Sequence, residues 1–485
     1  MLVLYNPRSN AQRKPIVPYA LLALGASVEG RHDYAIVDGN LEHDAASLIA
    51  RKLAEGGPPI LGVTSMPGPQ VVDAVGVVGR VKSLVPAVRT VWGGYFPTQH
   101  VDACLRSPLV DVAVRGHADV AFPHLIDALT TNADVSSLPG VAVRGSSARI
   151  PEAPIPRASE LAPFPWHRVQ LERYVRSTVL GRRTLGYHAS YGCPYVCNFC
   201  AVVNMVGGRW TGLPAERVAD DVARFVERHQ ADAVEFYDNN FFVQEGRTVE
   251  IAERITHHGL TWWGEARIDG LMKYSDASLA TMARSGLRMV FCGAESGDAE
   301  TLARMDKGGT LTPEMTLDFV ARAKAFGIVP ELSFVLGSPP DPEGDIDRTL
   351  AFIRKVKARN PATEIILYLY TPEPVAGPLW DQAQAAGFAF PTTLEAWAAF
   401  EDVVQRRSER LPWLPTATRR RVRGFERVLN AYYPTTTDVR LTGPRRALLR
   451  ALSAWRWHLQ FYRAPLELAA AQRLLRYQRP ETAGF

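Results

Sequence analysis

Three of the five cysteines, Cys193, Cys197 and Cys200, fall within eight residues. Their spacing is C-x3-C-x2-C, and the motif directly follows a predicted strand at residues 185–190. Three thiolates on one short loop can hold three irons of a cubane [4Fe–4S] cluster. The fourth iron then keeps an open coordination site, which indicates chemistry rather than simple electron transfer. A zinc site with a remote fourth ligand is the competing interpretation, although no second C-x2-C or H-x3-H pair accompanies the motif.

The rest of the composition indicates a globular chain without a disulfide framework. Of the 485 residues, 47% are hydrophobic and 22% are charged, which excludes wholesale disorder. The other two cysteines, Cys104 and Cys292, stand alone, and we expect both in the core. The first residues lack the features of a secretory signal, and no apolar run reaches the roughly 18 residues of a membrane span. We therefore expect a soluble protein of the cytoplasm, where clustered thiols stay reduced.

Residues 1–150 alternate short apolar runs with helix-like patterns. The runs lie at residues 2–5, 34–38, 60–64, 90–92 and 110–114. They are continuous and β-branched, as buried parallel strands are, and predict an α/β domain with a doubly wound (Rossmann-like) sheet. Ligands bind beyond the carboxyl ends of such strands, so the loops 64–70, 93–98 and 115–119 are candidate binding loops. Turn formation alone would also explain their glycines.

A second α/β series is predicted over residues 185–394, after a proline-rich linker at 151–184. Its strand candidates are residues 185–190, 233–237, 262–266, 289–292, 331–336 and 364–370. Six strand–helix units predict a partial (β/α)6 barrel, because a full barrel has eight. In such a barrel the functional residues follow the strands. Residues 395–485 are predicted to form a basic helical C-terminal domain.

Charge is distributed unevenly along the chain. Residues 401–485 carry 17 arginines, no lysine and seven acidic residues, so this segment is net +10 although the whole chain is only +5. A solvated helical surface is the simplest explanation of such a run. An anionic substrate, a phosphate-bearing partner or a membrane surface is the functional alternative. We expect no nucleic-acid partner.

Segments around and after the cysteine motif resemble the radical S-adenosylmethionine (SAM) enzymes. Members of that family carry C-x3-C-x2-C with an aromatic residue before the last cysteine, here Phe199. Further matches follow in the family's order, at residues 236–241, 263–269, 293–297, 302–307, 334–340 and 370–378. One of them departs from the pattern, since Pro340 and Asp341 replace a usual Gly-Glu pair. The resemblance implies that residues 185–394 form a radical SAM core.

Residues 1–150 are similar to the first domain of the cobalamin-binding (class B type) radical SAM enzymes. That subfamily includes radical SAM methyltransferases and tetrapyrrole ring cyclases. The similarity lies in the loops 93–98 and 114–119, where Phe96 replaces a usual histidine. The D-x-H-x-x-G motif, which supplies a histidine to cobalt in other cobalamin proteins, is absent. The resemblance therefore implies bound cobalamin and identifies no lower cobalt ligand.

The resemblance also implies roles at SAM, which would bind the open iron of a cluster held by the three motif cysteines. Asp238 and Asn240 would hold the methionyl amine of SAM, although an Asx turn or a helix cap would also explain these residues. Arg267 would pair with the SAM carboxylate. A structural ion pair of Arg267 with Asp269 or Glu265 is the alternative.

Two further residues are implied at SAM and five at cobalamin. Glu295 would hold the ribose hydroxyls of SAM, whereas an ordinary surface position is the alternative. Phe199 would pack near the adenine, or in the core. The residues implied at cobalamin are Ser65, Gly93, Gly94, Tyr95 and Gly116.

The activity implied is methylation of an unactivated carbon in a small molecule, such as a secondary metabolite, a lipid or a tetrapyrrole. The radical made from SAM would abstract a substrate hydrogen, and methylcobalamin would deliver the methyl group. The alternative is a cyclisation or rearrangement with the same cofactors and no methyl transfer. A non-catalytic cluster or zinc protein is a third hypothesis. We expect a small-molecule substrate. If this substrate is anionic, the arginine-rich tail would suit it. We also expect an electron donor of the flavodoxin or ferredoxin type.

Overall fold

The computed structural model describes residues 1–9, 15–146, 150–307, 309–399, 411–437, 441–475 and 477. Two α/β units follow each other along this part of the chain, and helices follow the second unit. None of the described helices has both the length and the apolar character needed to cross a membrane.

The first unit is a six-stranded sheet with helices on its faces. Its strands are Leu2–Asn6 (β1), Tyr34–Asp38 (β2), Ile60–Thr64 (β3), Arg89–Gly93 (β4), Val112–Val114 (β5) and Val141–Val143 (β6). Its helices are Tyr19–Val28 (α1), Ala45–Leu53 (α2), Pro69–Leu84 (α3), Tyr95–Gln99 (α4), Val101–Leu105 (α5) and Ala121–Thr130 (α6). The strand order is β2-β1-β3-β4-β5-β6, parallel except for β6. This doubly wound order confirms the predicted fold class.

The second unit is built on six parallel strands. They are Thr184–Tyr187 (β7), Ala233–Phe236 (β10), Thr261–Ala266 (β11), Leu287–Glu295 (β12), Val329–Leu336 (β13) and Glu364–Leu369 (β14). Between β7 and β10 lies an antiparallel hairpin of Ser190–Gly192 (β8) and Trp210–Gly212 (β9). The order β14-β13-β12-β11-β10-β7 runs from edge to edge without closing, as in the predicted partial barrel.

Helices cover one face of this second sheet. The helices of the second unit are Val202–Val206 (α7), Ala215–His229 (α8), Glu245–Ile255 (α9), Ile268–Leu271 (α10), Asp276–Arg284 (α11), Ala299–Arg304 (α12), Pro313–Ala325 (α13), Pro342–Arg359 (α14) and Pro378–Ala385 (α15). Strand β11 shows why the two faces differ. Trp262 and Ala266 are buried in the core, whereas the alternate residues Trp263 and Glu265 are only half-buried. Successive side chains point to opposite faces, so the second pair lies on the concave, helix-free side.

The segment predicted as a linker packs against both units. It contains three short 3₁₀ turns, Ala158–Glu160, Trp166–Arg168 and Leu171–Tyr174. The Tyr174 hydroxyl donates to Asp38 Oδ2 of the first unit at 3.0 Å. The Trp166 indole nitrogen donates to Asp221 Oδ1 of the second unit at 2.7 Å. Proline-rich sequence here therefore forms a packed connection rather than a free one.

The described part of the C-terminal region is helical, as predicted. Its helices are Leu394–Ala399 (α16), Thr416–Tyr432 (α17), Gly443–His458 (α18) and Leu466–Leu474 (α19). Helix α16 lies on α3 of the first unit, and Trp397 joins that unit's core. The last three helices pack against each other and the outside of α14, where Arg354 donates to the Trp457 carbonyl at 2.8 Å.

Candidate active site

The cysteine motif forms a loop that follows β8, beside the carboxyl ends of the barrel strands. Cys197 is buried, Cys193 and Cys200 are half-buried, and all three thiols are free. Burial raises the pKa of Cys197 and raises that of Cys200 to about 12. Metal binding deprotonates such thiols, because the metal takes the place of the proton on sulfur. No three Cys, His, Asp or Glu side chains in the described ranges converge on one metal ion.

Arg267 lies directly beside the cysteine loop. It makes a bidentate ion pair with Asp269, with Nε–Oδ1 and Nη2–Oδ2 distances of 2.9 and 2.8 Å. It also donates to Cys197 Sγ at 3.3 Å and to the Lys307 carbonyl at 2.6 Å, and it stacks on Tyr195. Burial raises the pKa of Asp269, but the hydrogen bonds and charge of Arg267 outweigh burial and leave this pKa lowered. The structure thus shows the ion pair that the sequence left as an alternative.

Replacing Arg267 by leucine is expected to lower the free energy of unfolding by about 3–5 kcal/mol, because it leaves a buried carboxylate without its partner. The arginine and aspartate side chains are only 7% and 2% exposed. Chemical denaturation of the apoprotein measures the change. The double variant Arg267→Leu/Asp269→Asn is the control, since it removes the orphaned charge and should recover part of the loss. Equal losses in both variants would contradict the ion-pair explanation.

Asp238 and Asn240, predicted at the SAM amine, follow strand β10. Asp238 accepts hydrogen bonds from the Ser190 hydroxyl and from the Ala189 backbone NH. Burial raises its pKa to about 6, although these hydrogen bonds oppose the shift. Asn240 Nδ2 lies 4.0 Å from Cys193 Sγ, and its buried Oδ1 makes no hydrogen bond. A buried acceptor without a donor beside the cysteine loop fits a ligand that brings an ammonium group.

Glu295 and Phe199 take up contacts within the protein. Glu295 ends β12 with a φ of 60° and forms a buried ion pair with Lys307, whose ammonium also donates to the Gly293 carbonyl. A side chain at position 293 would clash with the Glu295 carboxylate, so only glycine fits there. Phe199 packs on a small core that contains Met305. Core packing was the alternative interpretation of this residue. Their predicted roles at ribose and adenine stay predictions.

A cavity lies between the two units. On one side it is lined by α1 and by the carboxyl-terminal part of the first sheet, including the predicted residues Gly93, Gly94 and Gly116. On the other side it is lined by the barrel's His188, by Ser190–Gly192 just before the cysteine loop, and by α7. The cavity therefore connects the first sheet's binding edge with the start of the cysteine motif.

The first sheet's wall of this cavity is mostly apolar, and two of its glycines are next to each other. Side chains such as Leu4, Val91 and Phe122 make it largely apolar. A Cβ added to Gly93 would meet only Val114, at 3.9 Å, which is an ordinary van der Waals distance. Gly94 has a φ of 91°, and a Cβ there would lie 2.7 Å from Thr64 Oγ1. Glycine is therefore required at 94 by the turn.

The comparisons with known proteins agree with this division. A profile of the B12 binding domain matches residues 13–126, and a profile of the radical SAM superfamily matches residues 187–353. The chain is a cobalamin-binding radical SAM enzyme. Its radical SAM domain implies a [4Fe–4S] cluster and SAM as cofactors, and its B12-binding domain implies cobalamin.

Relatives of this radical SAM enzyme include methyltransferases and a cyclase. It is 28% identical to an uncharacterised methyltransferase of Pyrococcus horikoshii over 70% of this chain and 73% of that protein. It is 26% identical to the anaerobic magnesium-protoporphyrin IX monomethyl ester cyclase of Synechocystis sp. over 62% of this chain and 61% of that protein. The solved radical SAM methyltransferase TsrM from Kitasatospora setae, with cobalamin and a [4Fe–4S] cluster bound, has the same fold. The TM-score is 0.64 at 20% identity, over 79% of this chain and 75% of that one.

The residues predicted at cobalamin fall into two groups in this radical SAM enzyme. Gly93, Gly94 and Gly116 line the cavity, whereas Ser65 and Tyr95 are next to the lining residues and not among them. Ser65 is fully buried, and its Oγ has no hydrogen-bond partner. Its backbone carbonyl accepts from the NH of Phe96. The roles of all five at cobalamin stay predictions.

His188 is a cavity residue that the sequence did not single out. Its ring stacks on Tyr19 of α1, with 5.1 Å between the ring centroids, and the Tyr19 hydroxyl donates to the Gly186 carbonyl. Burial lowers the pKa of His188 to about 4, so the imidazole is neutral at physiological pH. The one sequence signal for His188 is its position at the end of β7, just before the cysteine motif, where barrel enzymes carry functional residues.

Replacing His188 by glutamine is expected to flatten the acid limb of the stability profile. Below pH about 6.5 the unfolded chain binds a proton at this histidine that the folded protein excludes until pH about 4. This linkage lowers the free energy of unfolding by up to about 3 kcal/mol as the pH falls through that window. Urea denaturation between pH 7 and 4 compares wild type with the variant. The exposed His43→Gln variant is the control, and its profile should follow that of wild type.

Proposed function

We propose that this protein is a cobalamin-dependent radical SAM methyltransferase that acts on an unactivated carbon of a small molecule. The observation that carries this proposal is the shared cavity, which the first sheet lines with Gly93 and Gly116 and the barrel lines with His188 and Ser190–Gly192. Methyl transfer with two cofactors requires both of them to reach one substrate. The methyltransferase relative, which spans 70% of this chain, supports the same reaction.

The chain's own residues would bind, orient and shield the reactants. We propose Cys193, Cys197 and Cys200 as the cluster ligands, with the charge of Arg267 beside Cys197. The free Oδ1 of Asn240 would accept from the amine of SAM. The apolar cavity wall would exclude water and side reactions. When bound, the cluster with SAM supplies one-electron cleavage of a strong C–H bond, and cobalamin supplies a transferable methyl group.

Further proposals concern the substrate, the partners and the boundaries. No residue from 411–437 or 441–475 lines the cavity, so the described tail arginines do not support an anionic substrate. We propose an electron donor of the flavodoxin or ferredoxin type and a cytoplasmic location, because the cluster needs reducing surroundings. We also propose domains at 1–150, 185–394 and 395–485, joined by the packed segment 151–184.

Transfer of label from SAM is the test of methylation. The reconstituted, anaerobic enzyme is incubated with SAM that carries a deuterated methyl group, a reductant and a panel of candidate substrates. The expected product is heavier than its substrate by one labelled methyl group in place of hydrogen, and 5′-deoxyadenosine accompanies it. A product without deuterium would overturn the methyltransferase proposal.

A cyclase is the second candidate, supported by the similarity to the Synechocystis enzyme. That relative is named for ring closure on a magnesium porphyrin ester. Ring closure by this chain would give a product without added carbon, so the same mass measurement separates the two reactions. Iron and sulfide in the purified protein, together with reductive SAM cleavage, would exclude a non-catalytic zinc protein.

A further inference from the structure

Large apolar side chains are exposed mainly in the segment that holds the last two described helices and the turn between them. Thirteen such side chains are exposed in the described part of the chain, and seven of them lie between residues 448 and 474. They are Leu448, Leu452, Trp455, Leu459, Phe461, Leu466 and Leu474. Single exposed apolar residues are ordinary on a protein surface, but a concentration of this kind marks an interaction surface.

The exposed residues of α18 and its end form one stripe. Leu448, Leu452, Trp455 and Leu459 are spaced by four, three and four residues, which places them on one face of a helix. The opposite face, with Leu449 and Trp457, packs into the core against α17. The stripe is therefore not needed to hold the helix in place.

Helix α19 extends this surface. Leu466 and Leu474 are 73% and 84% exposed and stand eight residues apart, on the same side of the helix. Between the two helices, Trp455 and Phe461 stack with 5.8 Å between their ring centroids. Arg456 lies over both rings and thus holds this aromatic pair in place at the surface. We call the seven residues from Leu448 to Leu474 the apolar ridge.

The apolar ridge is bordered by positive charge. Three exposed arginines lie beside the ridge residues: Arg445 is one helical turn before Leu448, Arg463 lies between the two helices, and Arg473 precedes Leu474. The one acidic residue of 441–475 is Glu467. A second copy of the chain on this ridge would bring two sets of these arginines together, and the acidic residue of the segment, Glu467, is already paired with Arg456. An anionic surface would instead attract them.

We propose that the apolar ridge docks on the surface of an anionic phospholipid bilayer. Leucine and aromatic side chains on one face with arginines around them are the combination that binds in the interface of a membrane. Tryptophan suits that position because its ring is apolar and its NH is polar. The arginines contribute long-range attraction, and the leucines and rings enter the headgroup region. The protein is thereby held at a membrane without crossing it.

Vesicle flotation with the anaerobic holoenzyme tests this proposal. The vesicles contain either phosphatidylcholine alone or phosphatidylcholine with phosphatidylglycerol. Wild type is expected to float with the anionic vesicles only, and added salt should weaken binding. Leu452→Glu/Leu459→Glu is expected to bind about 10-fold or more weakly, because it removes buried apolar area and adds negative charge. Arg445→Gln/Arg463→Gln should weaken binding to anionic vesicles by a similar factor.

Leu84→Glu is the matched control, since Leu84 is 52% exposed on α3 of the first unit. This variant should bind vesicles as wild type does. The proposal is overturned if wild type fails to float with anionic vesicles, or if the leucine variant binds as tightly as wild type. Light scattering tests whether a second copy of the chain occupies the ridge. If wild type is a dimer and Leu452→Glu/Leu459→Glu is a monomer, the ridge is a dimer interface and the proposal is also overturned.

Discussion

Replacing Cys197 by alanine is expected to remove the [4Fe–4S] cluster and lower SAM cleavage by more than about 100-fold. Loss of a residue that only supports a metal ligand costs about 10–100-fold, so loss of a ligand should cost more. Cys197 is also the cysteine that Arg267 contacts, at 3.3 Å. The measurements are iron and sulfide per chain after anaerobic reconstitution, and 5′-deoxyadenosine formed under reducing conditions.

Cys292→Ala is the matched control for this experiment. Cys292 is in the same unit but is fully buried in the helix-covered core behind β12. Its replacement should keep the cluster and cost only stability, through a small cavity. If Cys197→Ala retained full iron, sulfide and SAM cleavage, the assignment of the cysteine loop as the cluster site would be wrong.

A phenylalanine in place of Gly93 is expected to weaken cobalamin binding by about 10- to 100-fold. The new side chain would enter the cavity beside Val91, in the space that a flat ligand needs. Forcing atoms into such space costs about 1–3 kcal/mol. The rest of the fold should tolerate the change, because a Cβ at this position has no contact closer than 3.9 Å. Spectrophotometric titration of the purified protein with hydroxocobalamin gives the Kd.

The same substitution at Gly76 is the control for cobalamin binding. Gly76 is an exposed residue of α3, where an added Cβ meets nothing within 4 Å. Gly76→Phe should leave the Kd of cobalamin unchanged. Circular dichroism and thermal unfolding of both variants separate a blocked cavity from a damaged fold. Equal affinity in the Gly93 and Gly76 variants would show that the cavity is not where cobalamin binds.

Most of the fold was predictable because both sheets are parallel and buried. Continuous apolar runs between helical patterns mark such strands, and five strands of the first sheet and six of the second were predicted in this way. Val141–Val143 was missed because its apolar run is only three residues long, whereas the equally short strand Val112–Val114 lies in the longer run 110–114. The packing of residues 151–184 was also missed. Its hydrogen bonds to Asp38 and Asp221 join residues far apart in the sequence, and local sequence patterns do not predict such contacts.

The site was predictable where chemistry and spacing coincide. The three cysteines, the polar residues after β10 and the glycines at 93, 94 and 116 were all singled out. The sequence could not choose between the SAM carboxylate and the side chains of Asp269 or Glu265 as the partner of Arg267, because each offers a carboxylate. It also missed the pairing of Glu295 with Lys307 and the position of His188. Those contacts depend on which strands become neighbours. The boundaries at 150, 184 and 394 stay predictions.

Helix α16 has a consequence for how the protein is made. Leu394 and Trp397 complete the core of the first unit, and the Ser107 hydroxyl donates to Glu395 at 2.5 Å. During synthesis on the ribosome, the core of the first unit is therefore completed only by a segment that emerges about 250 residues after the unit's last strand, which ends at Val143. An expressed fragment that stops near residue 150 would leave that patch of α3 bare and prone to aggregate. The folding of the first unit therefore depends on α16, a helix that is synthesised after the second unit.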